Sequence, residues 1–271
     1  MKAVVFKEHG SVDKLVYDDF EEPEIHPSEV IVKVNACGIN HLDIWVREGL
    51  PGTTIPLPHI LGCEITGEIA GVGSAVKGLS TGQRVLIAPG INCGRCEYCL
   101  SSNDSLCHEF RIMGFQVDGG YAEYAKAPAE NIIPISERLS FEEWATVPLV
   151  FLTAWNMLKT RGGLVTGETV LIHAAGSGIG SAAIQISKLS GAEVITTVGN
   201  DEKVEKATGA LYYLALEQLH PYHSVYNWQF QQKGPNAHHK KMRISTFFNN
   251  LILVSIWIPP RVLFLVWMSR N

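Results

Sequence analysis

The stretch ETVLIHAAGSGIGSAAIQISKLSGAEVITTV, residues 168–198, constrains this chain more than any other. Its two ends are short apolar runs of strand type, and between them lies a helical pattern that ends at Gly191. Two buried strands joined by a helix pair side by side in the same direction, and such a sheet needs cover on both faces. The turn between strand and helix holds Gly176, Gly178 and Gly180, with Ile179 inside it. Glycines there let backbone approach a pyrophosphate, and the helix N-terminus offers free N–H groups and a positive dipole end. A tight turn with no ligand is the plainer alternative. Cofactor choice falls to the end of the second strand, where an acidic side chain would hold the ribose of NAD. Val198 and Gly199 stand there instead, and Asn200 and Lys203 could face a 2′-phosphate. This favours NADP(H) over NAD(H), with Asp201 and Glu202 weighing the other way.

The second strong feature is CGRCEYCLSSNDSLC, residues 93–107. Cys93, Cys96, Cys99 and Cys107 can turn four thiolates toward one point, which suits a four-coordinate structural Zn2+. Four sulfur ligands leave no position for water or substrate, so this loop is expected to hold shape rather than do chemistry. Unbound thiols and an iron–sulfur cluster are the rivals; the cysteine–proline ending of bacterial ferredoxin runs is absent. The N-terminus lacks the apolar core of an export signal, so a cytoplasmic, reducing setting is expected, where clustered cysteines bind metal more often than they form disulfides.

Residues 1 to about 130 read as many short strands broken by Pro and Gly, which suggests a barrel-like domain. From about Leu139 the spacing turns helical, with Ser140 as N-cap and Glu143 completing a capping box. After Ala210 the composition shifts: residues 211–271 contain one glycine of 25, and six basic residues against one acidic. No turn-and-strand grammar is visible there. LILVSIWIPPRVLFLVWM, residues 251–268, is very apolar, but Pro259, Pro260 and Arg261 interrupt it, and neither half reaches the ~20 residues of a membrane helix. A formal charge of −5 argues against nucleic acid as a general partner.

Together these residues resemble the medium-chain dehydrogenase/reductase superfamily, the zinc-type alcohol dehydrogenases and their quinone oxidoreductase relatives. The carrying stretches are NACGINHLDIWVREG, LPHILGCEITGEIAGVGSAV, GQRVLIAPG, the cysteine loop, GGYAEY, FLTAW and the glycine turn, over roughly residues 1–210. The resemblance implies a GroES-like catalytic barrel over 1–135 with a structural zinc loop. It also implies a partial Rossmann NAD(P)-binding domain over 136–210, and leaves 211–271 as a divergent tail. A small-molecule substrate follows, with hydride passing between nicotinamide and a carbonyl, quinone, enone or alcohol. Thr153 and His41 would lie beside the cofactor. Asn40, Asp43, Cys63 and Glu64 would form the catalytic group.

Departures from the zinc enzymes fall in that group. Asn40 stands where they place a cysteine ligand, Cys63 where they place a histidine, and Leu149–Val150 where a third ligand falls. The catalytic zinc is therefore expected to be lost. Cys37 reads as a small buried residue, and His59 as a displaced ligand or a polar residue opening a strand. Asp43 could orient its neighbours or simply cap the loop. Two alternatives stay open: an alcohol dehydrogenase with an altered metal site of Cys63, Glu64 and His59, or an inactive zinc-bearing product. The latter follows because the family's later strands, including those that build its usual dimer edge, have no counterpart here, as a frameshift or splice product would produce.

Overall fold

The computed structural model describes residues 1–198 and the strand backbones of residues 251–256 and 264–269. The expected Gly199, Asn200 and Lys203 contacts, and most of the tail, lie outside the described residues. The chain divides into two compact units, Met1–Leu149 and Val150–Asn271.

The first unit is built from β1 (Lys2–Phe6), β2 (Val16–Asp19), β3 (Glu29–Gly38), β4 (His59–Ile60), β5 (Glu64–Val72), β6 (Arg84–Ile87), β7 (Gly90–Ile91), β8 (Arg111–Ile112), β9 (Tyr124–Pro128) and β10 (Ile132–Pro134). Short helices α1 (His41–Glu48), α2 (Glu97–Leu100) and α3 (Phe141–Trp144) sit among them. One antiparallel sheet runs β10-β6-β5-β3-β9, and a second runs β2-β1-β4. Val30 and Val32 of β3 and Ile65 and Ile69 of β5 are fully or almost fully buried, as alternation on a half-covered sheet requires. They pack with Val85, Ile87 and Met113 into the main core. β3 and β5 pair so that Gly38 faces Glu64 and Cys37 faces Ile65. This register brings the end of one strand, where Asn40 follows, to the start of the other, where Cys63 precedes. The capping box at α3 forms as expected: Glu143 N donates to Ser140 Oγ at 3.2 Å, and Ser140 N to Glu143 Oε2 at 2.7 Å.

The second unit contains most of α4 (Pro148–Trp155), then β11 (Thr169–Ile172), α5 (Gly178–Leu189) and β12 (Glu193–Thr196). β11 and β12 pair in parallel, with Val170 opposite Val194. α5 covers them with Ala182, Ala183, Ile184 and Ile186, all buried. Gly191 stands just beyond the helix at φ +72°, the left-handed stop that glycine adopts without strain. The apolar tail segment differs from its reading as patternless. It supplies β13 (Leu251–Ile256) and β14 (Phe264–Ser269), and the sheet order is β12-β11-β14-β13. β14 pairs antiparallel to β11. LILVSI and FLVWMS are uncharged runs rich in β-branched and bulky apolar residues, separated by a stretch containing two prolines, which is strand-and-turn chemistry. No helix among the described residues is long and apolar enough to cross a membrane.

Candidate functional site

In the first unit, Asn40, Asp43, Cys63 and Glu64 come together through the β3–β5 register. Asn40 is the N-cap of α1, and its backbone N–H donates to Asp43 Oδ2 at 2.7 Å. Asp43 is buried and accepts two further bonds, from Gly62 N at 3.1 Å and from the Tyr121 hydroxyl at 2.8 Å. Burial pushes the Asp43 carboxyl above its ordinary range, and the three donors pull it part of the way back. Asp43 therefore caps the loop and also ties it to two other segments. Its carboxylate reaches Asn40 through the backbone N–H.

The Asn40 amide points at Glu64 and Cys63. Its Nδ2 donates to Glu64 Oε2 at 2.8 Å and lies 3.7 Å from Cys63 Sγ. An ionised carboxylate only accepts, so the nitrogen end must face Glu64. The other Glu64 oxygen accepts from Leu149 N at 3.0 Å. Gly38 makes room for this: a Cβ there would lie 2.7 Å from Glu64 Oε2 and 2.7 Å from the Ala145 carbonyl. Both nearby thiols are held protonated by burial, Cys37 pushed up to about 12 and Cys63 also raised, with Asp43 adding to each. His41 is exposed, its ring edge-on to Trp45 at 4.8 Å. His59 is 1% exposed and engages Asp118, 3.3 Å away, and the Phe6 ring.

The cysteine loop is the one group among the described residues with three or more His, Cys, Asp or Glu side chains placed to hold a metal ion. Its four sulfurs lie within 4.8 Å of one another. Zn–S bonds of about 2.3 Å put tetrahedral sulfurs about 3.8 Å apart, and Cys93–Cys99 at 3.9 Å and Cys96–Cys99 at 3.5 Å match that spacing. Cys107 Sγ accepts from Cys93 N at 3.3 Å and Glu109 N at 3.4 Å, the backbone support a thiolate ligand needs. Backbone bonding led by Cys99 draws Cys96 down to about 6, while desolvation pushes Cys99 up to about 12. A divalent cation would remove that conflict by stabilising all four thiolates. The residues fit a structural zinc.

In the second unit, β11 leads into the glycine turn and α5. Ser177 caps the helix, its Oγ accepting from Gly180 N at 2.9 Å. A Cβ at Gly180 would lie 2.2 Å from the Ala174 carbonyl oxygen, so only glycine fits. Gly176 and Gly178 are exposed, leaving bare backbone at the helix start, and Ile179 packs partly buried against the core. The turn is braced by Thr197, whose hydroxyl accepts from Ala174 N at 3.2 Å and meets the His173 ring at 3.1 Å. Thr153 is half-buried on α4. These features fit a dinucleotide.

The alcohol dehydrogenase GroES-like domain matches residues 26–137. An NAD-dependent alcohol dehydrogenase of Sulfurisphaera tokodaii is 33% identical over 247 residues, 88% of this chain and 70% of that one. The chain belongs to the medium-chain dehydrogenase/reductase superfamily. A Geobacillus stearothermophilus alcohol dehydrogenase is 39% identical over 209 residues, 76% of this chain and 60% of that one. A crystal structure of an NAD-dependent alcohol dehydrogenase superposes with a TM-score of 0.75 at 46% identity, covering 78% of this chain and 61% of that one. The chain thus spans about 60% of the length of the first curated relatives it matches. As in its superfamily, a GroES-like domain is followed by a Rossmann-type β-α-β unit, here with two parallel strands among the described residues.

Sequence reasoning did not single out Tyr121, Gly62 or Thr197. Tyr121 is 78 residues from Asp43, and only the fold joins them.

Proposed function

We propose that this chain is an NAD(P)(H)-dependent oxidoreductase that transfers hydride between nicotinamide and a small quinone, enone, carbonyl or alcohol, with a structural zinc and no catalytic one. The observation that carries the second half is the 2.8 Å bond from Asn40 Nδ2 to Glu64 Oε2. An amide fills the place between a thiol and a carboxylate that a cation would otherwise bridge. His59, the remaining group of the altered metal site, is engaged with Asp118 instead.

The nicotinamide supplies the hydride. The protein's part is to orient it and to stabilise charge on the substrate oxygen. One amide hydrogen of Asn40 is committed to Glu64. The second faces Cys63 Sγ at 3.7 Å, a long and weak bond that the substrate oxygen, or a water bound to the amide, would displace. A neutral donor polarises an oxygen less than a metal does, which favours quinones and enones, already electron-poor, over plain alcohols. Cys63 is 1% exposed and serves as the wall behind Asn40 rather than as a reacting group. The bare backbone at Gly176 and Gly178 and the start of α5 would take the pyrophosphate. His41 and Thr153 are proposed cofactor neighbours. Val198, where NAD enzymes carry an acid, supports NADP(H) over NAD(H).

Fluorescence titration with NADPH and with NADH, followed by turnover of quinones and enones with NADPH and of alcohols with NADP, tests this reading. Zinc analysis should give one ion per chain. Turnover of alcohols alone with two zincs per chain would reject the metal-free centre. No saturable binding of either nucleotide would leave a zinc-bearing fold without catalysis.

A further inference from the structure

We infer that Tyr121 is a positioning residue that sets the Asn40 loop against Cys63 and Glu64, acting through Asp43. For its catalytic consequence this rests on the oxidoreductase reading above.

Three bonds form a continuous line. The Tyr121 hydroxyl donates to Asp43 Oδ2 at 2.8 Å, Asn40 N donates to the same oxygen at 2.7 Å, and Asn40 Nδ2 donates to Glu64 Oε2 at 2.8 Å. The other Asp43 oxygen takes Gly62 N at 3.1 Å, immediately before Cys63. One carboxylate therefore fixes both the Asn40 loop and the start of the Cys63–Glu64 segment. Tyr121 decides how that carboxylate is turned.

The tyrosine is itself held from both sides. Its N–H donates to the Leu61 carbonyl at 2.9 Å, and its carbonyl accepts from Val4 N at 2.7 Å. The side chain packs against two core clusters, one containing Phe6 and Leu61 and the other Ala3 and Ile60. It also closes on Gly62, where φ is +96° and a Cβ would come within 2.6 Å of Tyr121 Cδ1. Phenylalanine would fill the same volume. A purely packing role needs no hydroxyl, whereas orientation of Asp43 depends on it. Loss of one bond to a buried carboxylate leaves Oδ2 with a single donor and frees the side chain to rotate.

Peptide-resolved hydrogen exchange on the full chain, wild type against Tyr121→Phe, tests this without turnover. The amides of Asn40 and Gly62 should exchange about tenfold faster, while Val4, bonded to the Tyr121 carbonyl, should not change. Where the wild type turns over, kcat should fall about tenfold with KM for the nucleotide unchanged. No acceleration at Asn40 and Gly62, or equal acceleration at Val4, overturns the positioning role. A wild type that neither binds nucleotide nor turns over overturns the oxidoreductase reading instead, and the exchange pattern still decides Tyr121.

Discussion

Asp43→Ala should be the most damaging single change around Asn40. The carboxylate is 6% exposed and accepts from Asn40 N, the Tyr121 hydroxyl and Gly62 N. Alanine strands all three donors. A buried donor left without a partner costs about 1–3 kcal/mol. Part of that is offset, because burial raises the carboxyl and its ionised form is held at a cost at neutral pH. A net loss of about 3–5 kcal/mol remains. At about 2–4 °C per kcal/mol for a unit of this size, the melting temperature should fall by about 6–20 °C. Asp43→Asn sharpens the test. With its oxygen in the Oδ2 position it keeps Asn40 N and the Tyr121 hydroxyl and opposes only Gly62 N, so it should cost about 1 kcal/mol. Calorimetry on the full-length wild type and both variants reads the difference. Equal losses for Asn and Ala, or an Ala loss below about 1 kcal/mol, would refute the reasoning that three shared bonds make this carboxylate a structural hub.

Other outcomes are separate. Ala174 holds φ +57° in the glycine turn, so Ala174→Gly should relieve about 1 kcal/mol and raise the unfolding temperature of the second unit; a fall would show that the turn is unstrained. His59 is held below its ordinary value, chiefly by burial and against the pull of Asp118, so the unfolded chain takes up the proton first. Stability should therefore decline as pH falls through about 6.5, and His59→Gln should flatten that decline in a thermal-melt series from pH 7.5 to 5.5. Cys107→Ser should drop bound zinc well below one per chain by metal analysis, and retention of the full ion would place the metal elsewhere. Gly180→Ala should abolish saturable NADPH fluorescence, since a Cβ would press on the Ala174 carbonyl at 2.2 Å.

Local chemistry was readable from the chain alone wherever the needed residues are neighbours. The cysteine loop closes within 15 residues, and its sulfurs meet as spacing and valence require. The strand–turn–helix–strand unit forms with its cap at Ser177 and its stop at Gly191, because apolar period and glycine placement act over a few residues. The capping box at Ser140 follows the same logic. The tail was not readable in this way: its two strands lack turn glycines, and β14 pairs with β11, about 95–100 residues away, while β13 joins only through β14.

The pairing register of β3 with β5 was decided only in three dimensions, and with it the meaning of Asn40. The sequence by itself determined that Asn40 and Cys63 flank the two strands whose resemblance to the zinc enzymes leads one to expect a cysteine and a histidine there. Tertiary structure decided that the amide turns its nitrogen to Glu64, that Asp43 binds three segments at once, and that Tyr121 reaches it from 78 residues away. The physical reason is range: caps, turns and metal loops act within a few bonds of the chain, whereas a buried carboxylate takes whatever donors the closed core brings to it.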